Sequence, residues 1–455
     1  MSLGHLALTE KGHLKNGKNY TKQKLKPIIN ISLFKKRSCQ VRYIFANNEN
    51  LPVYILMSII VALFLGLIIS AEEILRDKKI IKRESFLNLS RLSYVNSKVS
   101  LLMVISAIQA LLFVLVGNTF LGINGLGFSY WLIIFSTAVC ANLIGLNISS
   151  ALNSVVAAYI AIPFVLVPQL LLNGAVVDYK TMHKDIVSEK YTPVYGDLMT
   201  SRWAYEALMV EQFKNNPFQK DFFEVERKLS HTNYIISLYI QKIQSSFSKL
   251  TTAQNNQADK TKLIKLLENE LIKFSKTSLG SGFIELANNL AKDYNTEEYK
   301  TSFNNEIEVV KNKFIGKQKK YKKEKETIYK NLVKTLGGEK AFLKFKEDNH
   351  NQSVANYALS RYDFNKITVV DNEIIQLKDP IYQIPESNYG RAHFYAPVKK
   401  IAGIEIDTYW FNLTIIWLMT AIMYFILLVD FIRRGVEYIQ HLKSIKGWSK
   451  KVLRV

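Results

Sequence analysis

The residues of this chain whose chemistry stands out are polar side chains set inside otherwise apolar runs. Gln109, Asn118, Asn142, Asn147, Asn153 and Gln169 are amides within or beside long hydrophobic stretches, where an unpaired amide is costly. Groups of this kind either line a path for a solute or hydrogen-bond one helix to another. Pro163 and Pro168 fall inside a single run and predict a kink there, because each removes a backbone donor and crowds the preceding turn. A second concentration of chemistry is the stretch from Ala71 to Ser85, with nine charges in fifteen residues directly after an uncharged run. Glu72, Glu73, Arg76, Lys82, Arg83 and Glu84 can hold a partner through orientable charged contacts, or can serve only as an anchor.

Motifs for covalent or metal chemistry are absent from the sequence. It contains no G-x-x-x-x-G-K-[ST] phosphate loop, no H-E-x-x-H, no C-x-x-C and no G-x-S-x-G. Seven His residues, at 5, 13, 183, 231, 350, 393 and 441, are scattered singly without ligand spacing. Cys39 and Cys140 lie in a basic arm and an apolar run, which reads as two inert thiols and no disulfide framework. The expectation is a chain that is not an enzyme and has no catalytic residue, metal or cofactor of its own.

The elements that position these residues follow from the distribution of apolar residues. Averages of 48% hydrophobic residues and a net charge of +22 over 455 residues suggest a basic soluble protein, yet the apolar residues are concentrated in blocks. These run over Pro52–Ser70, Ser100–Leu121, Phe128–Ser149, Val155–Leu172 and Trp410–Val429. A bilayer core of about 30 Å needs about 20 apolar residues in a helix. The fold class is therefore an α-helical polytopic membrane protein, with about five transmembrane helices and a large, mainly helical external insertion before the last span.

Lys- and Arg-rich short loops stay in the cytoplasm. Arg76, Lys78, Lys79, Lys82, Arg83, Arg91 and Lys98 follow the first span, and Arg433, Arg434, Lys443, Lys446, Lys450, Lys451 and Arg454 follow the last. The resulting organisation is a basic arm (1–50), four spans (51–175) with a cytoplasmic loop (71–98), an external domain (176–408), the last span (409–430) and a basic cytoplasmic tail (431–455). Five spans would place the arm outside despite its ten Lys and Arg residues, so the arm is either an exception to the rule or, the favoured reading, the end of a fragment that lacks an upstream span.

Within the external segment, apolar spacing predicts helices over Tyr234–Leu250, Leu263–Phe274 and Val309–Leu336, separated by turns at Gly280-Ser281-Gly282 and Gly337-Gly338. About 230 residues are too many for a simple connection and imply a domain. The run from Lys317 to Lys325 reads as a solvated helix face, and nucleic acid is not expected as a partner. KITVVDNEIIQLK, from Lys366 to Lys378, predicts a short hairpin around Asp371-Asn372.

Two motifs carry a resemblance. Lys82-Arg83-Glu84-Ser85-Phe86, followed by Tyr94-Val95-Asn96-Ser97-Lys98, resembles the cytoplasmic loop between the second and third spans of type-2 ABC exporter membrane domains, particularly the G-type half-transporters. Ser201-Arg202-Trp203-Ala204-Tyr205-Glu206-Ala207-Leu208, with Phe213 beyond it, resembles the segment after their fifth span. The resemblance covers about Leu51 to Phe213 plus the last span and extends to bacterial relatives with an ATP-binding cassette upstream. It departs from the family in having five spans instead of six and no phosphate loop.

What the resemblance implies is a membrane subunit of an ATP-driven exporter in the bacterial inner membrane, working as a homodimer or heterodimer among membrane lipids. A partner ATP-binding cassette domain would bind ATP and magnesium, and the loop 71–98 would face it. Gln109, Asn142, Asn147, Asn153 and Gln169 are then pathway or packing residues. The alternative is a non-transporting envelope protein whose spans anchor an external protein-binding domain.

Overall fold

The computed structural model describes residues 43–84, 90–179, 182, 190–252, 257–276, 282–436 and 438. The basic arm up to residue 42, the Ser85-Phe86 step, the turn residues Gly280 and Ser281, most of the tail, and the side chains of Lys82 and Glu84 lie outside the described residues.

Apolar composition dictates the first elements. Helix α1 (Leu51–Ala71) starts with Pro52 in its first turn, where the missing N–H costs nothing. It is followed by the short charged helix α2 (Glu73–Glu84), then α3 (Arg91–Leu121), α4 (Gly127–Ala151) and α5 (Val155–Leu171). The last apolar helix is α15 (Thr408–Val429). Among the described residues four helices, α1, α3, α4 and α15, are long and apolar enough to cross a bilayer.

The fourth apolar block differs from expectation, because α5 has only 17 residues, about 26 Å of helix against a core of about 30 Å. The chain turns directly after it. The Asn173 side-chain oxygen accepts from the N–H groups of Ala175 (2.8 Å) and Val176 (3.3 Å). Gly174 has φ +79°, and a Cβ there would lie 2.5 Å from the Tyr179 ring.

Helix α4 is the centre of the bundle, packing against α1, α3 and α15. A Cβ on Gly145 would lie 2.0 Å from Ser70 Oγ and 3.0 Å from the Leu67 carbonyl, so glycine permits the close approach of α4 to α1. Helix α3 turns a single stripe inward, Leu102, Ser106, Ala110, Val114 and Asn118. Its other faces expose Leu101, Val104, Ile108, Leu112 and Leu115, as a helix with apolar surroundings requires.

Between α5 and α15 the chain forms α6 (Val194–Asp197), α7 (Thr200–Lys214) and α8 (Gln219–Tyr234). One π-helical turn, Ile235–Tyr239, joins α8 to α9 (Ile240–Thr251). Then come α10 (Gln257–Ser275), α11 (Phe283–Asp293), the 40-residue α12 (Glu297–Leu336), α13 (Glu339–Asn349) and α14 (Gln352–Ala358). Gly337 and Gly338, at φ +87° and +125°, turn the chain between α12 and α13.

The hairpin read around Asp371-Asn372 is present. Strand β1 (Ile367–Val370) pairs antiparallel with β2 (Glu373–Gln376), and both turn residues have positive φ. A second hairpin, β3 (Val398–Ile401) and β4 (Ile404–Asp407), leads into α15.

Helices α9 to α12 and the first hairpin enclose their own apolar core, with Phe247, Leu267, Phe283, Phe303 and Ile374 among its buried members. This core is separate from that of the bundle. The insertion meets the bundle at one end: the Asn351 amide donates to the carbonyls of Phe45 and Asn48 just before α1, both at 2.8 Å. Tyr409, at the start of α15, donates to the Ser129 carbonyl at the start of α4 (3.0 Å). The elbow formed by α2 occupies the opposite end.

Candidate functional site

The charged elbow is built against three helices. Ser149 Oγ, in the last turn of α4, accepts from the backbone N–H groups of Ile74 (3.1 Å) and Leu75 (3.0 Å). It thereby satisfies donors that the start of α2 would otherwise leave unpaired. Glu73 and Asp77, one turn apart on α2, both pair with Lys98 of α3, at 2.8 and 2.7 Å, and Tyr94 donates to Asp77 (3.2 Å). Lys78 donates to Asn153 Oδ1 (2.9 Å) in the link between α4 and α5. Glu72 accepts from Tyr159 of α5. Arg76 pairs with Glu73 (3.0 Å) but is two-thirds exposed, and Arg83 is exposed. At the same end, Arg91 pairs with Asp430 and donates to the Leu427 carbonyl (3.0 Å), so α3 is tied to the end of α15.

The amides in the apolar helices occupy distinct places. Asn142 is buried and donates to Ser106 Oγ (2.8 Å), joining α4 to α3. Asn147 donates to the Met423 carbonyl (2.9 Å), joining α4 to α15. Gln169 accepts from the Ser201 N–H (2.9 Å), joining α5 to α7. Asn118 accepts from Tyr54 (3.1 Å), joining α3 to α1. Gln109 is half-buried on α3 and Asn153 is exposed. Pro163 and Pro168 both sit within α5, which continues through them to Leu171. Of the elbow residues, Glu72, Glu73 and Arg76 make these contacts, and Asn118, Asn142, Asn147 and Gln169 each join two helices.

A site that sequence reasoning did not assemble lies on α7. Fourteen of the fifteen residues of this helix, Thr200 to Phe213, are buried. Three of them are charged, Arg202, Glu206 and Glu211, and the first two are spaced i, i+4 on one face. Glu206 Oε2 accepts from Lys399 of β3 (2.7 Å) and from the Asn412 amide of α15 (2.9 Å), and Arg202 stands 3.5 Å away. Arg202, Glu206 and Lys399 side chains have no solvent exposure.

Arg202 also donates to Thr192 Oγ1 (2.9 Å) and lies 3.4 Å from Asp197. Its guanidinium stacks 3.9 Å over the Trp203 ring, while Lys399 lies 4.6 Å over that ring. Burial, aided by the neighbouring Arg202, pushes the Lys399 ammonium down to about 8 in spite of Glu206. Among the described residues, Glu206 Oε1, Arg202 Nε and Asn412 Oδ1 have no hydrogen-bond partner, so the centre is incompletely satisfied, which makes it costly and responsive.

The position of this centre follows from α5 and α7 together. Thr200, the first residue of α7, contacts the Cys140 thiol at 3.5 Å near the middle of α4. At its other end Gln212 accepts from Tyr130 (2.8 Å), close to the start of α4. Helix α7 thus runs alongside the half of α4 nearer the insertion and continues the bundle where α5 stops. The arrangement holds α7, β3 and α15 in register. Among the described residues there is no group of His, Cys, Asp and Glu placed to hold a metal ion.

Arg202 and Glu206 were visible in the sequence as part of a motif. Lys399 and Asn412 carried no local signal, because their partner is about two hundred residues away. Asp77 and Ser149 were likewise missed, although the Glu73–Asp77 spacing was a usable sign of a shared face.

No curated protein and no solved structure matches the chain. A family comparison does: residues 23–213 match the family model described as ABC-2 type transporter.

Proposed function

We propose that this chain is the membrane-spanning subunit of an ATP-driven exporter, working as a dimer and coupled to an ATP-binding cassette outside this sequence. The observation that carries the reading is the elbow. A charged helix, α2, is clamped by Lys98 and Ser149 to two helices of the family-matched domain, while Arg83 faces outward. A force applied to α2 would reach α3 and α4 through short, partly buried contacts. The ATP and magnesium of the reaction belong to the partner, and the G-type half-transporter pattern, the bacterial inner membrane and an external position for residues 176–408 are parts of the same proposal.

A second reading is supported by the separate core of the insertion: the spans anchor an external helical domain that binds another protein. The deciding experiment is co-reconstitution in vesicles with a candidate ATP-binding cassette partner. Exporter function predicts that ATP turnover rises with this chain present. It also predicts that reversing Arg83 and Glu84 together removes the stimulation while insertion is kept. Stimulation that is absent, or untouched by the reversal, favours the anchoring reading.

A further inference from the structure

The insertion contains a cavity of about 580 Å³ between α8, the π-helical turn, α10, α12 and the first hairpin. That volume is in the range of small-molecule sites. Its wall has two kinds of surface. Tyr234, Tyr239, Phe274, Phe314 and Tyr321 supply aromatic area. Five cations, Lys190, Arg227, Lys228, Lys273 and Lys317, face it against two carboxylates, Glu373 and Glu386.

The two carboxylates are already engaged. Lys190 pairs with Glu373 (2.8 Å) and Glu386 (3.2 Å), and Lys273 pairs with Glu386 (2.5 Å). Arg227 reaches Glu224, an exposed residue outside the cavity wall, at 2.8 Å, and among the described residues its buried Nε has no hydrogen-bond partner. Lys228 and Lys317 lie over the rings of Tyr321 (6.0 Å) and Phe314 (5.4 Å), with no carboxylate partner among the described residues. The wall therefore carries a surplus of positive charge beside aromatic faces. Burial together with Lys317 and Arg227 lowers the pKa of His231, which also lines the cavity, as a positive local potential requires.

The backbone adds an independent sign. Ile240 N–H donates to the Ile235 carbonyl, closing an i to i+5 turn in an otherwise α-helical run. Two residues of that turn, Ile235 and Tyr239, line the cavity. Single π-helical turns cost helix regularity and occur frequently at functional sites.

We propose that this cavity binds an organic anion, with a phosphate or carboxylate head held by Arg227 and Lys317 and an apolar or aromatic body against Tyr234, Tyr239 and Phe314. The head and body chemistry is shared by anionic lipids and by soluble aromatic anions. The assignment is independent of whether the chain transports.

The test uses the full chain in phosphatidylcholine nanodiscs and calorimetric titration with 1-naphthyl phosphate, with neutral 1-naphthol as its control. Saturable binding of the phosphate is expected, weakened at least about ten-fold in Arg227→Gln and in Lys317→Gln, with thermal unfolding unchanged. Ile235→Trp, which fills the cavity, is expected to abolish it; if that variant does not fold, the two Gln variants decide. Displacement by a lysophosphatidate marks a lipid as the source of the ligand, and its failure to displace marks a soluble anion. No saturable binding, equal affinity for naphthol, or unchanged affinity in both Gln variants overturns the proposal.

Discussion

Replacing Glu206 by Gln is expected to cost more stability than replacing Lys399 by Met, and the geometry sets that order. Removing one partner of a buried ion pair costs about 3 to 5 kcal/mol, chiefly because the other charge is left in a low-dielectric site. In Lys399→Met the Glu206 carboxylate keeps Asn412 at 2.9 Å and Arg202 at 3.5 Å, so the loss falls near the lower figure, about 3 kcal/mol. In Glu206→Gln two buried cations lose their shared counter-charge, and only Asp197, 3.4 Å from Arg202, remains. That places the loss near the upper figure, about 5 kcal/mol. The double variant Glu206→Gln/Lys399→Met removes one of the stranded cations and should be more stable than Glu206→Gln alone. The assay is thermal unfolding of the purified variants in one detergent and one lipid, with double-mutant coupling extracted from the four proteins. A Lys399→Met protein as stable as wild type, or a Glu206→Gln protein milder than Lys399→Met, would refute the argument that this centre is dry and paired.

Gly145→Leu should destabilise by at least about 1 to 3 kcal/mol in the same thermal unfolding assay, because its Cβ alone would overlap Ser70 Oγ. Lys98→Met should abolish partner-stimulated ATP turnover while membrane insertion is kept, since it releases both Glu73 and Asp77. Reporters fused after Lys98 and after Val455 should be cytoplasmic and one after Lys325 external, as scored by alkaline phosphatase and fluorescent-protein fusions.

The long apolar helices were legible because each is a run of about twenty residues without interruption, and the ends of α1, α4 and α15 fall within two residues of the sequence blocks. The block Val155–Leu172 marked α5 to within one residue, and what it did not carry was the turn that the Asn173 side chain makes directly after the helix. Helix α7 gave no periodic signal because nearly every face of it is buried, so polar and apolar residues do not segregate. The hairpin at Asp371-Asn372 announced itself through residues that tolerate positive φ. The one at Ala402-Gly403 did not, because Ala402 adopts φ +49° without the usual turn chemistry. The charge centre depends on a pairing between α7 and β3 that no local spacing encodes.

The contact between Cys140 and Thr200 gives the protein a built-in chemical clock. Cys140 is the free cysteine of the described residues, and it is fully buried. A thiol covered in this way is alkylated only when its cover moves. The rate of maleimide labelling at Cys140 therefore counts how often the start of α7 parts from α4, and a Cys140→Ser protein supplies the blank. Labelling that quickens when a partner hydrolyses ATP would time the parting of α7 from α4 against each turnover, using a probe that the chain already carries.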